Sequence, residues 1–306
     1  MVTLSPRVGR LRANNPSPMT LDGTNGYVLR VGAHSLVAID PGPIDDAQRD
    51  AFVAAARDAG ATYAAILVTH GHPDHAPGAA PLAAATGAPV LAHPAARFPH
   101  DRALADEEQL AFPDGTITVM YAPGHAPDHC IFVLDDAALF TGDVVAGRGF
   151  MVVAPPQGDM RAYQATLRRL RERYANARAL YGGHGPEVDD VRAKLDEYIA
   201  HREARETQIL GVLARGPATI PELVAQIYAD TDRRLWPAAG RQILAYLIAL
   251  EREGRVRGES LERPATPDEA ALLNPDLSKL DENVGADVIR AELGFATREP
   301  LLRYAL

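Results

Sequence analysis

Residues 64–75 read AAILVTHGHPDH: an apolar stretch suited to a buried strand runs straight into His70, His72, Asp74 and His75. A strand buried on both faces reads as a continuous apolar run, so this one ends at the rim of a covered sheet. Three more candidate ligands follow, each in a glycine-flanked loop after a strand-like stretch: His125 in APGHAPDH, Asp143 in FTGD and His184 in YGGHGP. In a tight turn His70 and His72 can face one ion, while Asp74 and His75 face a second. Imidazole and carboxylate donors suit zinc, with iron or manganese as alternatives. Two such ions about 3.5–4 Å apart can hold a bridging hydroxide and clamp a developing oxyanion.

The rest of the chain up to about residue 190 alternates in the same way. Strands are expected at 27–31, 35–40, 64–70, 88–93, 116–122, 129–135, 137–143 and from 177, and helices at 45–60, 78–87 and 159–175. Short strands followed by helices imply sheets covered by helices, an α/β layered domain. After about residue 188 the pattern becomes helical. Helices are expected over 188–216, 218–230 and 236–254, the second opened by Thr219 and Glu222 at capping-box spacing, with RVRG at 255–258 as a wing strand. This reads as a small winged-helix-like domain over 189–258 behind a larger α/β layered domain over 1–188. Residues 259–306 are left as an acidic peripheral tail of unassigned role.

Composition narrows the partners. With 306 residues the chain suits one large or two modest domains, and a formal net charge of −9 disfavours bulk attraction to nucleic acid or anionic membrane. No apolar run approaches the ~20 residues of a membrane span, and the first fifteen residues show no apolar signal core. A single cysteine, Cys130, rules out an internal disulfide framework. A cytoplasmic protein acting on a small molecule is therefore expected, with nucleic acid the less favoured partner and the oligomeric state unassigned.

Five motifs, Asp40 closing an early strand, THGHPDH, PGH, TGD and GGHGP, resemble those of the metallo-β-lactamase fold superfamily. The resemblance implies a four-layer αβ/βα sandwich with a dinuclear site at the sheet edges. It implies that His70, His72 and His125 hold the first metal, that Asp74, His75 and His184 hold the second, and that Asp143 bridges both. Asp40 would orient the histidine loop rather than bind metal. NPSPMTLDGTNGYVL at 15–29, the GGHGP loop and YIAHREARETQIL, with the winged-helix-like segment behind them, are similar to the β-lactamase-like protein 2 family. That resemblance spans roughly residues 14–257. Its members are linked to single-stranded RNA cleavage in animals, and fungal relatives act as polyketide thioesterases.

The resulting expectation is a dinuclear, zinc-type hydrolase whose metal-bridging hydroxide attacks a small ester, thioester or lactone, with Asp74 and Asp143 as catalytic carboxylates. The alternatives are a single-strand endoribonuclease and, behind it, an iron persulfide dioxygenase. A winged-helix regulator with a degenerate hydrolase domain is disfavoured because every ligand position is filled. Among the remaining residues, His129 is expected to orient the site and Cys130 to be a buried thiol. His34, His93, His100 and His201 lack partners at metal spacing. Thr24 and Asn25 in GTNGY, and Arg148 in GRGF, are candidate substrate contacts. The arginine-rich helix at 159–175 reads as a solvated face, and the apolar third helix as a packing surface.

Overall fold

The strands that lead to the ligand loops are apolar on both faces, and the chain covers both. The computed structural model describes residues 1–261, 263, 266, 267, 269 and 302–306. Strands β1 (Val2–Ser5), β2 (Val8–Arg12), β3 (Asn25–Gly32), β4 (Ser35–Ile39), β5 (Thr62–Leu67), β6 (Val90–Ala92) and β7 (Arg102–Ala103) form a seven-stranded sheet in chain order. Helices α1 (Asp46–Asp58) and α2 (Ala79–Thr86) carry the chain from β4 to β5 and from β5 to β6, so those pairs are parallel. A second sheet holds β8 (Gln109–Phe112), β9 (Gly115–Tyr121), β10 (Cys130–Leu134), β11 (Ala138–Gly142) and β12 (Ala179–Gly182). Its β11 and β12 are parallel and joined through α3 (Met160–Tyr174).

Two-residue periodicity sorts the side chains into layers. Leu29, Val31, Val37 and Ile39 of the first sheet meet Ile117, Val119, Phe132 and Phe140 of the second. The intervening residues Val28, Leu36, Ala38 and Ile66 pack on Phe52 of α1 and Leu82 of α2. On the far side Ile131, Val133 and Leu139 pack on Leu167 and Leu170 of α3. The result is the expected helix–sheet–sheet–helix sandwich. Cys130 lies fully buried in the inter-sheet layer, where burial pushes its thiol up to about 12. The ends of β4, β5, β11 and β12 deliver Asp40, His70, Asp143 and His184, and the β9–β10 loop delivers His125.

The C-terminal unit comprises α4 (Val191–Leu213), β13 (Ala218–Thr219), α5 (Ile220–Ile227), α6 (Trp236–Arg252), β14 (Arg257–Ser260) and β15 (Leu302–Ala305). Thr219 and Glu222 form the reciprocal capping box expected at the start of α5. One core runs unbroken from the second sheet through α3 and α4 into this unit, with Leu195 and Tyr198 at one end of α4 and Ile209 and Leu213 at the other. The third helix, α6, is buried without a break from Ala239 to Leu247. It packs within this core, as its apolar sequence led us to expect. The arginines of α3 are neutralised rather than displayed: Arg161 pairs with Glu206 and Glu253, Arg168 with Glu203, Arg169 with Asp106 and Glu107, Arg171 with Asp196, and Arg173 with Glu107.

The structure departs from the sequence reading in two places. Strands β1, β2, β7, β8 and β13 were not anticipated: β1, β7 and β8 are short, largely exposed edge segments, β2 (VGRLR) is broken by two arginines, and the two-residue β13 falls inside the helix expected over 218–230. The assignment of 259–306 as a peripheral tail also needs correction. Residues 302–305 form the middle strand of the wing sheet, between β13 and β14, and Tyr304 is 2% exposed in the core. Most of residues 262–301 lie outside the described residues. Among the described residues no helix is long and apolar enough to cross a membrane. Tyr304→Ala should cost about 3–5 kcal/mol. Thermal unfolding should show it as early melting of the C-terminal unit, and an unchanged transition would refute the central role of β15.

Candidate metal centre

Seven side chains converge where the strand ends meet, in two clusters. In the first, His72 Nδ1 lies 2.9 Å from His70 Nε2 and 2.9 Å from His125 Nε2. In the second, the carboxylate of Asp74 lies 3.4 Å from both His75 Nε2 and His184 Nε2. Asp143 spans the two: Oδ1 is 3.4 Å from His75 Nε2 and 3.3 Å from His184 Nε2, while Oδ2 is 3.6 Å from His125 Nε2. His70, His72, His125 and Asp143 offer donor atoms within 4.8 Å of one another, and so do Asp74, His75 and His184.

The donor set fits a pair of divalent cations. His75 Nε2 and Asp143 Oδ1 are buried and have no hydrogen-bond partner. A buried polar atom left unpaired costs ~1–3 kcal/mol, and more when charged, and a shared cation would remove that cost at both atoms. Three imidazole nitrogens crowded together likewise present lone pairs to one point. Asp143 passes so close to Gly183 that a Cβ there would sit 2.4 Å from Oδ1 and 2.6 Å from His75 Cε1. Glycine at 183 is therefore a packing requirement of the site.

A second set of bonds aims each ligand. Asp40, buried at the end of β4 with a left-handed φ of 47°, accepts the Thr69 amide at 2.7 Å and the Thr69 hydroxyl at 2.7 Å, and meets His75 Nδ1 at 2.8 Å. Because the Thr69 hydroxyl gives its proton to Asp40, its oxygen accepts from His70 Nδ1, 3.0 Å away. This leaves the Nε2 atoms of both rings turned inward. His125 Nδ1 donates to the Val152 carbonyl at 2.8 Å. His129 accepts the Asp143 amide at 3.1 Å and stacks on His70.

The GTNGY loop plays a different part from the one anticipated. Thr24 and Asn25 are fully buried, so neither can touch substrate. Thr24 Oγ1 donates to Asp74 at 2.8 Å, and Asn15 holds it by accepting its amide at 2.9 Å and donating to its hydroxyl at 3.0 Å. Asn25 donates to the carbonyls of Gly182 and Gly185 at 3.1 and 2.9 Å, and Tyr27 donates to Gly182 at 2.7 Å, fastening the loop that carries His184. Thr69, Asn15 and Tyr27 were missed by sequence reasoning. Only Thr69 left a signal, as the residue directly before the first histidine. Arg148 is exposed and reaches Asp22 at 3.4 Å.

Electrostatics divide the clusters. Burial, reinforced by neighbouring imidazoles, holds His70 well below the ordinary histidine range and pushes His72 down to about 3. For His184, burial alone would lower the value, but Asp143 and Asp74 outweigh it and push it up to about 10. His75 is raised by Asp74 and Asp143 against the same burial effect. Burial would raise Asp74 and Asp143, yet the facing histidines hold both well below the usual carboxylate range. Such carboxyls keep their charge at neutral pH, which suits cation binding and makes them weak bases.

The comparisons with known proteins agree with this architecture. The profile of the Metallo-beta-lactamase superfamily matches residues 19–200, and that of the Beta-lactamase associated winged helix domain matches residues 219–263. A Beta-lactamase-like protein 2 homolog of Drosophila melanogaster is 30% identical over 83% of this chain and 91% of its own length. An Atrochrysone carboxyl ACP thioesterase of Aspergillus fumigatus is 31% identical over 79% and 81%. Among solved structures, a metallo-beta-lactamase family protein from Thermus thermophilus superposes with a TM-score of 0.69 at 24% identity, over 84% of this chain and 97% of that one. The chain belongs to the metallo-β-lactamase superfamily and is one of its hydrolases, with a C-terminal winged helix.

Two outcomes test the site. Thr69→Val, which breaks the link from Asp40 to His70, should weaken metal binding about 10–100-fold; unaltered affinity by chelator competition would refute the link. Protons should compete unequally for the two clusters. His184 holds its proton until about pH 10, so metal uptake at Asp74, His75 and His184 must release protons and weaken as pH falls. The trihistidine cluster, where His72 titrates near 3, should retain metal to lower pH. Calorimetry in buffers of different ionisation enthalpy would count the protons, and zero release would contradict this assignment.

Proposed function

We propose that this member of the superfamily is a dinuclear, zinc-dependent hydrolase of small thioesters, esters or lactones. The observation that supports it most directly is the divided carboxylate of Asp143, with one oxygen toward His75 and His184 and the other toward His125. His70, His72 and His125 would hold one ion, Asp74, His75 and His184 the other, and Asp143 both. Bound there, divalent ions supply Lewis acidity, lowering the pKa of a water toward neutrality and stabilising negative charge on the substrate oxygen.

The chain's own residues provide the rest. Asp40, Thr69 and Val152 fix the ligand rings, so little reorganisation is needed when charge develops. Thr24 holds Asp74 in place, and Asp74 and Asp143 remain ionised, neutralising bound cations rather than storing protons. A small acyl substrate is favoured over RNA because the arginines of α3 are spent in ion pairs. The relative named as an acyl carrier protein thioesterase points the same way.

Purified protein should carry about two zinc ions per chain, whereas a single iron would sink the hydrolase reading in favour of the dioxygenase. Asp143→Asn should lower kcat by at least about a hundredfold, and retained turnover would disprove the bridging role. A panel of thioesters, lactones and labelled single-stranded RNA should show turnover of the acyl compounds. Cleavage of the RNA alone would reverse the substrate assignment.

A further inference from the structure

A cleft of about 340 Å³ opens beside the centre, and its walls come from both domains. His184 forms one end. Phe150 of the loop after Asp143, His201 and Arg205 of α4, and Tyr228 of the winged helix form the sides. The volume is that of a small-molecule site, for which ~300–1,000 Å³ is usual.

The charge of this cleft runs against that of the molecule. No carboxylate lies among its lining residues, although the chain carries a net charge of −9. Arg205 sits 4.2 Å over the Tyr228 ring and is braced by Gln208 at 2.8 Å and the Ile227 carbonyl at 3.1 Å, both through Nη1. Its Nη2 has only a long approach of 3.5 Å to His201 Nε2. Arg205 forms no ion pair among the described residues. Directly behind the wall, fully buried Arg202 is also without a carboxylate among the described residues. Its charge meets the rings of Tyr163, Tyr198 and Phe150, and its Nη2 donates to the carbonyl of the lining residue Met151. Burial, and then these two arginines, push His201 down to about 4, so it adds no charge but can accept a hydrogen bond. Two guanidinium groups without counter-ions among the described residues make a local positive field in a low-dielectric wall, while Arg148 at the rim is already engaged by Asp22.

We propose that this inter-domain cleft selects the substrate, and that it takes an acyl compound bearing a carboxylate, bound by Arg205, with its apolar body against Phe150 and Tyr228. The winged helix thereby serves as a wall of the substrate site. This rests on the hydrolase reading for the bond that is cut, but not for binding.

The single tryptophan, Trp236, donates to the carbonyl of Thr231, a lining residue, so its fluorescence reports on the cleft without turnover. Zinc-loaded full-length protein is titrated with 4-phenylbutyrate and with neutral 4-phenylbutanamide. The carboxylate should bind at least about tenfold more tightly, Arg205→Gln should erase that preference, and Arg205→Lys should keep most of it. With matched succinyl and butyryl thioesters, the Arg205→Gln loss should fall on KM for the succinyl compound. A preference that survives Arg205→Gln places the carboxylate on the metal centre and overturns the proposal. Tighter, Arg205-dependent binding of a short oligouridylate overturns the choice of a small carboxylate. Arg205-dependent binding without turnover of any thioester, ester or lactone would sink the small-acyl reading of the reaction and leave the cleft assignment standing.

Discussion

The carboxylate of Asp40 is the fixed point from which the rest of the site is built. It closes β4, accepts two bonds from Thr69 at the end of β5, and meets His75 beyond the turn. Two adjacent parallel strands are thereby locked in register at the place where their side chains must converge. Its left-handed backbone is a strained conformation for a residue with a Cβ. That strain is tolerated because the bonds made by the side chain over-determine the position.

The sequence singled out the seven residues that cluster because each lies in the loop after a strand, where an apolar run gives way to glycine and a donor. Both signals are local. The layering was legible for the same reason, because continuous apolar runs such as β4 and β10 call for cover on both faces and helical segments alternate with them along the chain. Burial of a polar turn is not a local property, and there the reading failed. GTNGY looks like a solvent-facing loop, yet Thr24 and Asn25 are packed beneath the site, because Asn15, Asp74 and the Gly182–Gly185 loop fold over them. Strand β15 was invisible for a related reason. LRYA carries one apolar face, and only the distant partners β13 and β14 make it a strand.

The two domains behave as one body of packing. The core passes along α4 from Tyr198 to Leu213 with the buried Arg202 guanidinium set within it among aromatic rings, and Tyr246 of α6 donates to the carbonyl of Arg202. Arg202 in turn holds Met151, next to the Val152 carbonyl that aims His125. A displacement of α6 would therefore be felt at a metal ligand through a short chain of hydrogen bonds, so the winged helix shares in the geometry of the centre.

The placement of β15 bears on how such a molecule is made. In the wing sheet Thr219 pairs with Arg303, and Gly258 with Tyr304. A ribosome emits a chain in one direction, and domains generally fold as they emerge. The sandwich can close once β12 is out, but the wing must wait with its central position empty until residues 302–305 arrive. During that interval the wall that holds Arg205 and Tyr228 lacks its finished support, so a nascent chain would acquire its catalytic edge before its selectivity.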